Sequence, residues 1–168
     1  MQKWVCTKCG EKEIPQDIEY CEECTEKSFK KIGGWLYLPA ISLILSIINT
    51  LFLLGKTVNT MPQFYSALPD HWQFFIIFEI TSNALLLLLT ISTVIFFFRK
   101  SKKAPRLCVL FYLSNTIIKG ITVFLIANIL SIPISYNNIL PTLQAIVTTA
   151  IWVPYFMVSV RVKRTFVN

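Results

Sequence analysis

The chain has 168 residues, of which 54% are hydrophobic and 15% are charged, and its formal net charge is +7. Soluble domains have roughly 45 to 50% apolar and about 25% charged residues, and a soluble chain of this size buries only about 70% of its unfolded surface. The apolar excess therefore indicates a membrane protein. The length excludes large multi-domain enzymes, and no repeat of roughly 20 to 50 residues indicates a solenoid.

Two CxxC pairs come first along the chain, and their members are Cys6, Cys9, Cys21 and Cys24. Two such turns can bring four thiolates around one centre, as in closed tetrahedral zinc sites. We expect Gly10 to adopt a positive φ after the first pair, and Ile14, Ile18 and Tyr20 to cover the site. A segment of about 30 residues cannot bury a sufficient core, so the metal would supply the folding free energy.

This pattern predicts a structural zinc ribbon over residues 1–26, followed by a linker over 27–34. Rubredoxin-type iron is the alternative metal. Two disulfides or a redox CxxC are alternatives to a metal, and disulfides would require an oxidising compartment. The fifth cysteine, Cys108, is predicted to be a small apolar filler near one end of a membrane span.

Four apolar runs follow, each near the roughly 20 residues that a helix needs to cross a bilayer. They cover residues 35–55, 72–98, 107–130 and 142–160. The runs lack the alternating polarity of barrel strands. The predicted fold is therefore an all-α integral membrane domain over 35–168, a four-helix transmembrane bundle that carries the small four-cysteine head.

In a four-span topology, the lysine and arginine residues that flank these runs fall almost entirely on one side of the membrane. The first loop has only Lys56 and the third loop has none. The basic residues of the other flanks are Lys27, Lys30, Lys31, Arg99, Lys100, Lys102, Lys103, Arg106, Arg161, Lys163 and Arg164. The positive-inside rule then places both termini in the cytoplasm, as expected for a multi-pass protein of the bacterial inner membrane.

The head is acidic although the whole chain is basic. From Met1 to Glu26 it has three lysines and seven acidic residues, and four thiolates around a divalent metal add about −2. Such a surface repels phosphate backbones, so nucleic-acid binding is not expected. A cytoplasmic protein partner, or a folded cap, is the interpretation that we favour.

Two pairs of polar residues inside the second and third spans stand out. Glu79 and Asn83 share one helix face, as do Asn115 and Lys119. Ionisable residues inside a span are functional candidates whose partner should be named, and helix depth predicts an ion pair between Glu79 and Lys119. The simpler interpretation is a structural one, in which a buried pair fixes the register of the helices. The alternative is a small-solute or ion transporter that works as a homo-oligomer and uses these residues.

Motifs for catalysis are absent from the sequence. Five glycines form neither a Walker loop nor a dinucleotide fingerprint, and a single histidine, His71, cannot form a multi-histidine metal centre. We therefore expect a non-catalytic protein.

Two long motifs flank the spans. The chain begins its first span with GGWL at residues 33–36 and leaves the last with WxPYFxxSxRVKxTF at 152–166. In these motifs the chain resembles a family of small bacterial inner-membrane proteins, domain of unknown function 2569, over residues 31–166. The resemblance implies four spans and an inner-membrane location, often with a cytoplasmic zinc-ribbon head, and it implies no activity. The head itself resembles bacterial zinc ribbons, with Thr25 in place of their second glycine.

Both motifs fall at the predicted cytoplasmic surface. Arg161, Lys163 and Arg164 would meet anionic headgroups, at about 1 kcal/mol each. We expect these three residues to form a basic collar that packs against Gly33 and Gly34 and on which the ribbon rests.

Overall fold

The structure of the chain is a computed structural model that describes residues 4–15, 18–29, 34–60, 65–131, 133 and 135–167, with side chains omitted for 26–29. The described residues form helices and no named strand. The helices are α1 Glu22–Phe29, α2 Tyr37–Thr60, α3 Asp70–Phe98, α4 Ala104–Asn128, α5 Tyr136–Val158 and α6 Val160–Thr165, with 3₁₀ turns at Gly34–Leu36 and Tyr65–Ala67.

Four of these helices are long and apolar enough to cross a membrane, namely α2 with its preceding turn, α3, α4 and α5. This confirms the predicted all-α membrane fold. The helices differ from the apolar runs at their ends, because hydropathy marks the hydrocarbon-facing part of a helix and not its hydrogen-bonded ends. Helix α2 continues to Thr60 and α5 already begins at Tyr136, whereas α4 and α5 end two residues before their runs do. Helix α4 begins at Ala104, with Pro105 in its first turn, where a missing N–H costs nothing.

Each transmembrane helix packs against its neighbour in sequence, α2 on α3, α3 on α4 and α4 on α5. Threonine hydroxyls join the last pair. The Oγ1 atoms of Thr116 and Thr149 lie 2.7 Å apart, and Thr149 Oγ1 donates to the carbonyl of Tyr112. Further along, Thr142 Oγ1 donates to the carbonyl of Lys119. Because residue numbers rise on α4 as they fall on α5, the two helices are antiparallel.

The largest buried cluster lies where α3 ends and α4 begins. Phe97, Ala104 and Cys108 come from this junction, Leu36 comes from the first segment of the membrane domain, and Val162 and Phe166 come from the last. The rings of Phe97 and Phe166 meet edge to face, with centroids 5.0 Å apart. Cys108 is fully buried there, which confirms its predicted role as an apolar filler.

Gly34 occupies a position that suits only glycine. Its φ is +60°, and a Cβ atom placed on it would lie 3.1 Å from Nη1 of Arg161. Left-handed backbone costs a residue with a Cβ roughly 1 to 2 kcal/mol. A side chain at position 34 would therefore strain the backbone and displace the end of the Arg161 side chain by a few tenths of an ångström. Gly33, the other glycine of the predicted contact, lies outside the described residues.

We expect Gly34→Ala to destabilise the membrane domain by roughly 1 to 2 kcal/mol or more, from backbone strain and from displacement of Arg161. Gly120→Ala is the matched control, because Gly120 lies inside α4 and a Cβ there meets nothing within 4 Å. The control should leave stability unchanged or raise it by up to about 1 kcal/mol. Unfolding midpoints in detergent would test this, and equal midpoints for the two variants would contradict it.

Candidate functional site

The four head cysteines converge on one point. The sulfur atoms of Cys6, Cys9, Cys21 and Cys24 all lie within 4.8 Å of one another, and those of Cys9 and Cys21 are 3.8 Å apart. Cys6 and Cys21 are buried, Cys24 is half-buried and Cys9 is exposed. The predicted four-cysteine cluster is therefore present.

Local backbone bonds build the first half of this cluster. Gly10 has a φ of +68°, as predicted, and its N–H donates to the carbonyl of Cys6 at 2.8 Å. The N–H of Cys6 in turn donates to the carbonyl of Lys12, and an isolated antiparallel bridge joins Val5 to Glu13. The first CxxC pair thus sits in a tight turn at the tip of a short two-stranded loop.

The second half of the cluster lies at the start of a helix. Cys21 immediately precedes α1 and Cys24 belongs to its first turn. The backbone N–H of Cys21 donates to the sulfur of Cys6 at 3.3 Å, and Thr7 bonds through its N–H to the carbonyl of Glu19. These bonds hold the two CxxC segments together.

The donor set fits a tetrahedral metal. Metal–sulfur bonds of about 2.3 Å imply sulfur atoms about 3.8 Å apart at the corners of a tetrahedron, which is the Cys9–Cys21 distance. Disulfide sulfurs lie about 2.05 Å apart, and all four of these cysteines are free. The geometry favours the metal interpretation over the disulfides. Four sulfur ligands suit zinc, and also iron.

Backbone amides around the site favour thiolates. The pKa of the Cys6 thiol is lowered to about 6, chiefly because the N–H of Cys21 donates to its sulfur. The pKa of Cys9 is also lowered, chiefly by the backbone of Glu11. The pKa of Cys24 is raised to about 12 by its hydrogen bond with Cys21 and by burial. Because metals bind the thiolate, the lowered pKa values of Cys6 and Cys9 favour the ligand form, whereas Cys24 would release its proton to solvent on metal binding.

Apolar side chains of the head cover the cluster less than predicted. Ile14 is half-buried, whereas Ile18 is 49% and Tyr20 44% exposed. The expectation that Ile18 and Tyr20 close over the site is not met, because about half of each side chain is exposed. Trp4 is also half-exposed, at 50%. The head therefore presents aromatic and aliphatic side chains to its surroundings.

A wide cleft of about 1210 Å³ separates the head from the end of the chain. The apolar floor on the head side comes from Ile14, Pro15, Ile18 and Tyr20. Acidic residues of the head, Glu13, Glu22 and Glu23, line it as well, and Lys163, Arg164 and Val167 form the opposite wall. Helix α1 contacts α6 beside it.

The basic residues at the chain end take different positions. Arg161 is half-buried against Gly34, whereas Lys163 and Arg164 are exposed in the last turn of α6. The structure therefore brings Arg161 to the start of the first span and places the other two beside the head.

The predicted ion pair between Glu79 and Lys119 is not formed among the described residues, and that prediction was wrong. Glu79 Oε1 accepts from the hydroxyl of Thr122 at 2.5 Å, and Oε2 accepts from Nδ2 of Asn83 at 3.0 Å. Asn83 is buried. The i, i+4 pair of Glu79 and Asn83 thus exists, but its partner on α4 is a hydroxyl.

The error concerns the angular position around α4. Lys119 lies on the same stripe as Tyr112 and Thr116, whose backbone and hydroxyl groups bond to α5. Thr122 follows by three residues, which turns it about 60° around the helix toward α3. The ion pair was predicted from the similar depth of Glu79 and Lys119 in the membrane, and depth does not determine where a residue lies around the helix axis. Asn115 and Lys119 are half-buried, and their predicted functional role stays a prediction.

Sequence reasoning missed the four threonine hydroxyls that bond across helices, those of Thr116, Thr122, Thr142 and Thr149. Serine and threonine inside spans usually bond to their own helix, as Thr90 and Thr93 do here. Only the pairing of the helices distinguishes the four that bond across helices, so no sequence signal could have identified them.

The fold and site define a class: a four-helix, multi-pass membrane protein with an N-terminal four-cysteine cluster. The chain belongs to the family described as protein of unknown function (DUF2569), which matches residues 29–167. This confirms the resemblance seen in the two flanking motifs. The matched region begins after the cysteine cluster. Comparison with curated proteins finds no match, and comparison with solved structures finds none.

We expect the purified full-length chain to contain one metal ion, which Cys21→Ser removes because the tetrahedral site loses a ligand. Cys108→Ser is the matched control, because Cys108 lies far along the chain in the membrane core. Elemental analysis of the purified proteins by mass spectrometry would measure zinc and iron together. A metal content unchanged by Cys21→Ser would contradict a four-cysteine site.

Proposed function

We propose that the chain is a non-catalytic binding or assembly component of the bacterial inner membrane, whose zinc-closed head binds a cytoplasmic protein. The observation that carries the proposal is the set of exposed apolar side chains beside the cleft. Ile18 and Tyr20 are 49% and 44% exposed, and both line the cleft between the head and α6. A head that served only as a folded cap would have no need of such a surface.

The chemistry of the cleft suits a polypeptide partner. Tyrosine is enriched in protein interfaces because its large ring buries apolar area while its hydroxyl bonds at the rim. Acidic residues of the head and basic residues of α6 line the same cleft as these apolar side chains, and Lys12 of the head, paired with Glu23, lines it as well. A segment with an apolar anchor and flanking charges of both signs would complement it.

The metal gives this surface its shape. The described head has one isolated backbone bridge and one short helix, too little to fix a binding surface without a cross-link. Zinc would therefore act structurally, by holding Ile18 and Tyr20 at the cleft, and would take no part in chemistry.

A photo-crosslinking residue placed at Tyr20 in living cells should yield a discrete crosslinked protein, because this side chain lies at the proposed interface. The same residue placed at Glu11, which is exposed on the head and does not line the cleft, is the control. Denaturing gels and mass spectrometry would identify the product.

The crosslink at position 20 should disappear when Cys21→Ser removes the metal, provided that the protein still inserts into the membrane. Equal crosslinking from positions 11 and 20, or crosslinking that survives loss of the metal, would contradict the proposal.

The proposed orientation has both termini in the cytoplasm, supported by the uneven distribution of lysine and arginine. A protease site inserted after Asn137, in the first turn of α5, should be cut in intact spheroplasts. The same site inserted after Lys102, between α3 and α4, should be cut only after the membrane is opened. The opposite pattern would overturn the orientation.

A further inference from the structure

An intramembrane cavity of about 250 Å³ surrounds Glu79. It lies between α2, α3 and α4, in the half of the bundle opposite the cluster of Phe97 and Phe166. Five apolar residues make up most of its lining: Leu53, Leu54, Phe75, Ile76 and Ile80. Glu79 is nine residues into α3, about 14 Å along the helix from its start.

The carboxylate at this cavity retains bonding capacity. Thr122 donates to one oxygen and Asn83 to the other, whereas a carboxylate can accept about four hydrogen bonds. Both partners are neutral donors, so they orient the charge and do not neutralise it. Asn83 Nδ2 also donates to the backbone carbonyl of Glu79 at 2.7 Å, which fixes the amide in this orientation.

No basic side chain lines this cavity in the described part of the chain. Lys119, the partner predicted from the sequence, makes no ion pair with Glu79 in the structure. A carboxylate at this depth is costly unless a cation or a water-filled space accompanies it. The cavity thus combines a negative charge, unfilled space and apolar walls.

We propose that this cavity binds a small amphiphilic ammonium ion, with the cationic group at Glu79 and the apolar body against α2 and α3. A divalent metal ion would need six or more oxygen ligands or several retained waters, and the lining offers few oxygens. An ammonium group needs one carboxylate, and the ring of Phe75 adds a cation–π surface. The volume equals roughly eight waters at about 30 Å³ each, which limits the ligand to a small molecule.

The ligand reaches this site from the side of the bundle. Leu53, at the cavity wall, is 39% exposed, and the surface around it faces lipid. The packed cluster that includes Leu43, Leu86 and Tyr112 would block a bound molecule from passing through the bundle to its other end. The cavity is therefore a lateral binding site for molecules that partition into the bilayer.

The test uses the full-length protein in nanodiscs of zwitterionic lipid, with benzyltrimethylammonium as the probe and its uncharged carbon analogue neopentylbenzene as the comparison. Isothermal titration calorimetry measures binding of each compound to the protein, with empty nanodiscs as the blank. The wild type should bind the ammonium compound, and Glu79→Gln should weaken this affinity on the order of 10- to 100-fold, because an amide keeps the shape and removes the charge. Neopentylbenzene should bind weakly to both.

A second variant separates binding from folding. Leu54→Trp would fill the cavity from α2 without altering the carboxylate, and it should also abolish ammonium binding. Thr148→Val, on α5 and away from the cavity, is the matched control and should bind as the wild type does. Circular dichroism would verify helix content in all of them.

The proposal would be overturned if the wild type and Glu79→Gln bound benzyltrimethylammonium with equal affinity. It would also be overturned if the wild type bound neopentylbenzene as tightly as benzyltrimethylammonium. Binding that survives Leu54→Trp would place the ligand elsewhere and would also overturn it. None of these variants alters the head, so the result is independent of the metal and of the cytoplasmic partner.

Discussion

The close packing of Gly34 against the Arg161 guanidinium is the contact on which the rest of the structure depends. In a bilayer, apolar side chains gain nothing by leaving lipid for other helices, so association relies on close packing and a few polar bonds. A glycine with a positive φ permits that approach between residues 34 and 161. Helix α6, which contains Arg161, supplies Val162 to the buried cluster, and Phe166, the residue after α6, belongs to it as well.

The same arrangement explains why the head has a defined neighbour. Ser159 adopts an extended conformation and separates α5 from α6, so the chain turns at the membrane surface. Helix α6 then contacts α1, and the cleft opens between them. The cysteine-containing head and the membrane domain meet where α1 contacts α6, a short basic helix.

Much of this architecture followed from the sequence because its causes are local. Cysteine spacing determines the ligand set, a run of apolar residues determines a span, and Gly10 precedes a turn that needs a positive φ. The predictions that failed depend on how the elements are oriented relative to one another. Lys119 and Thr122 differ by three positions, and only the packing of α4 between α3 and α5 decides which one meets Glu79. Likewise, Ile18 and Tyr20 look like cover for a metal, but their exposure depends on where the head rests.

The buried cluster also constrains the order in which the protein can form. It joins Leu36, from the beginning of the first span, to Phe166, which follows the last span. The first spans to enter the bilayer therefore remain loosely associated until all four spans have been synthesised. The cysteine cluster needs only residues 6 to 24. The four cysteines can thus come together during translation, before the membrane domain has closed.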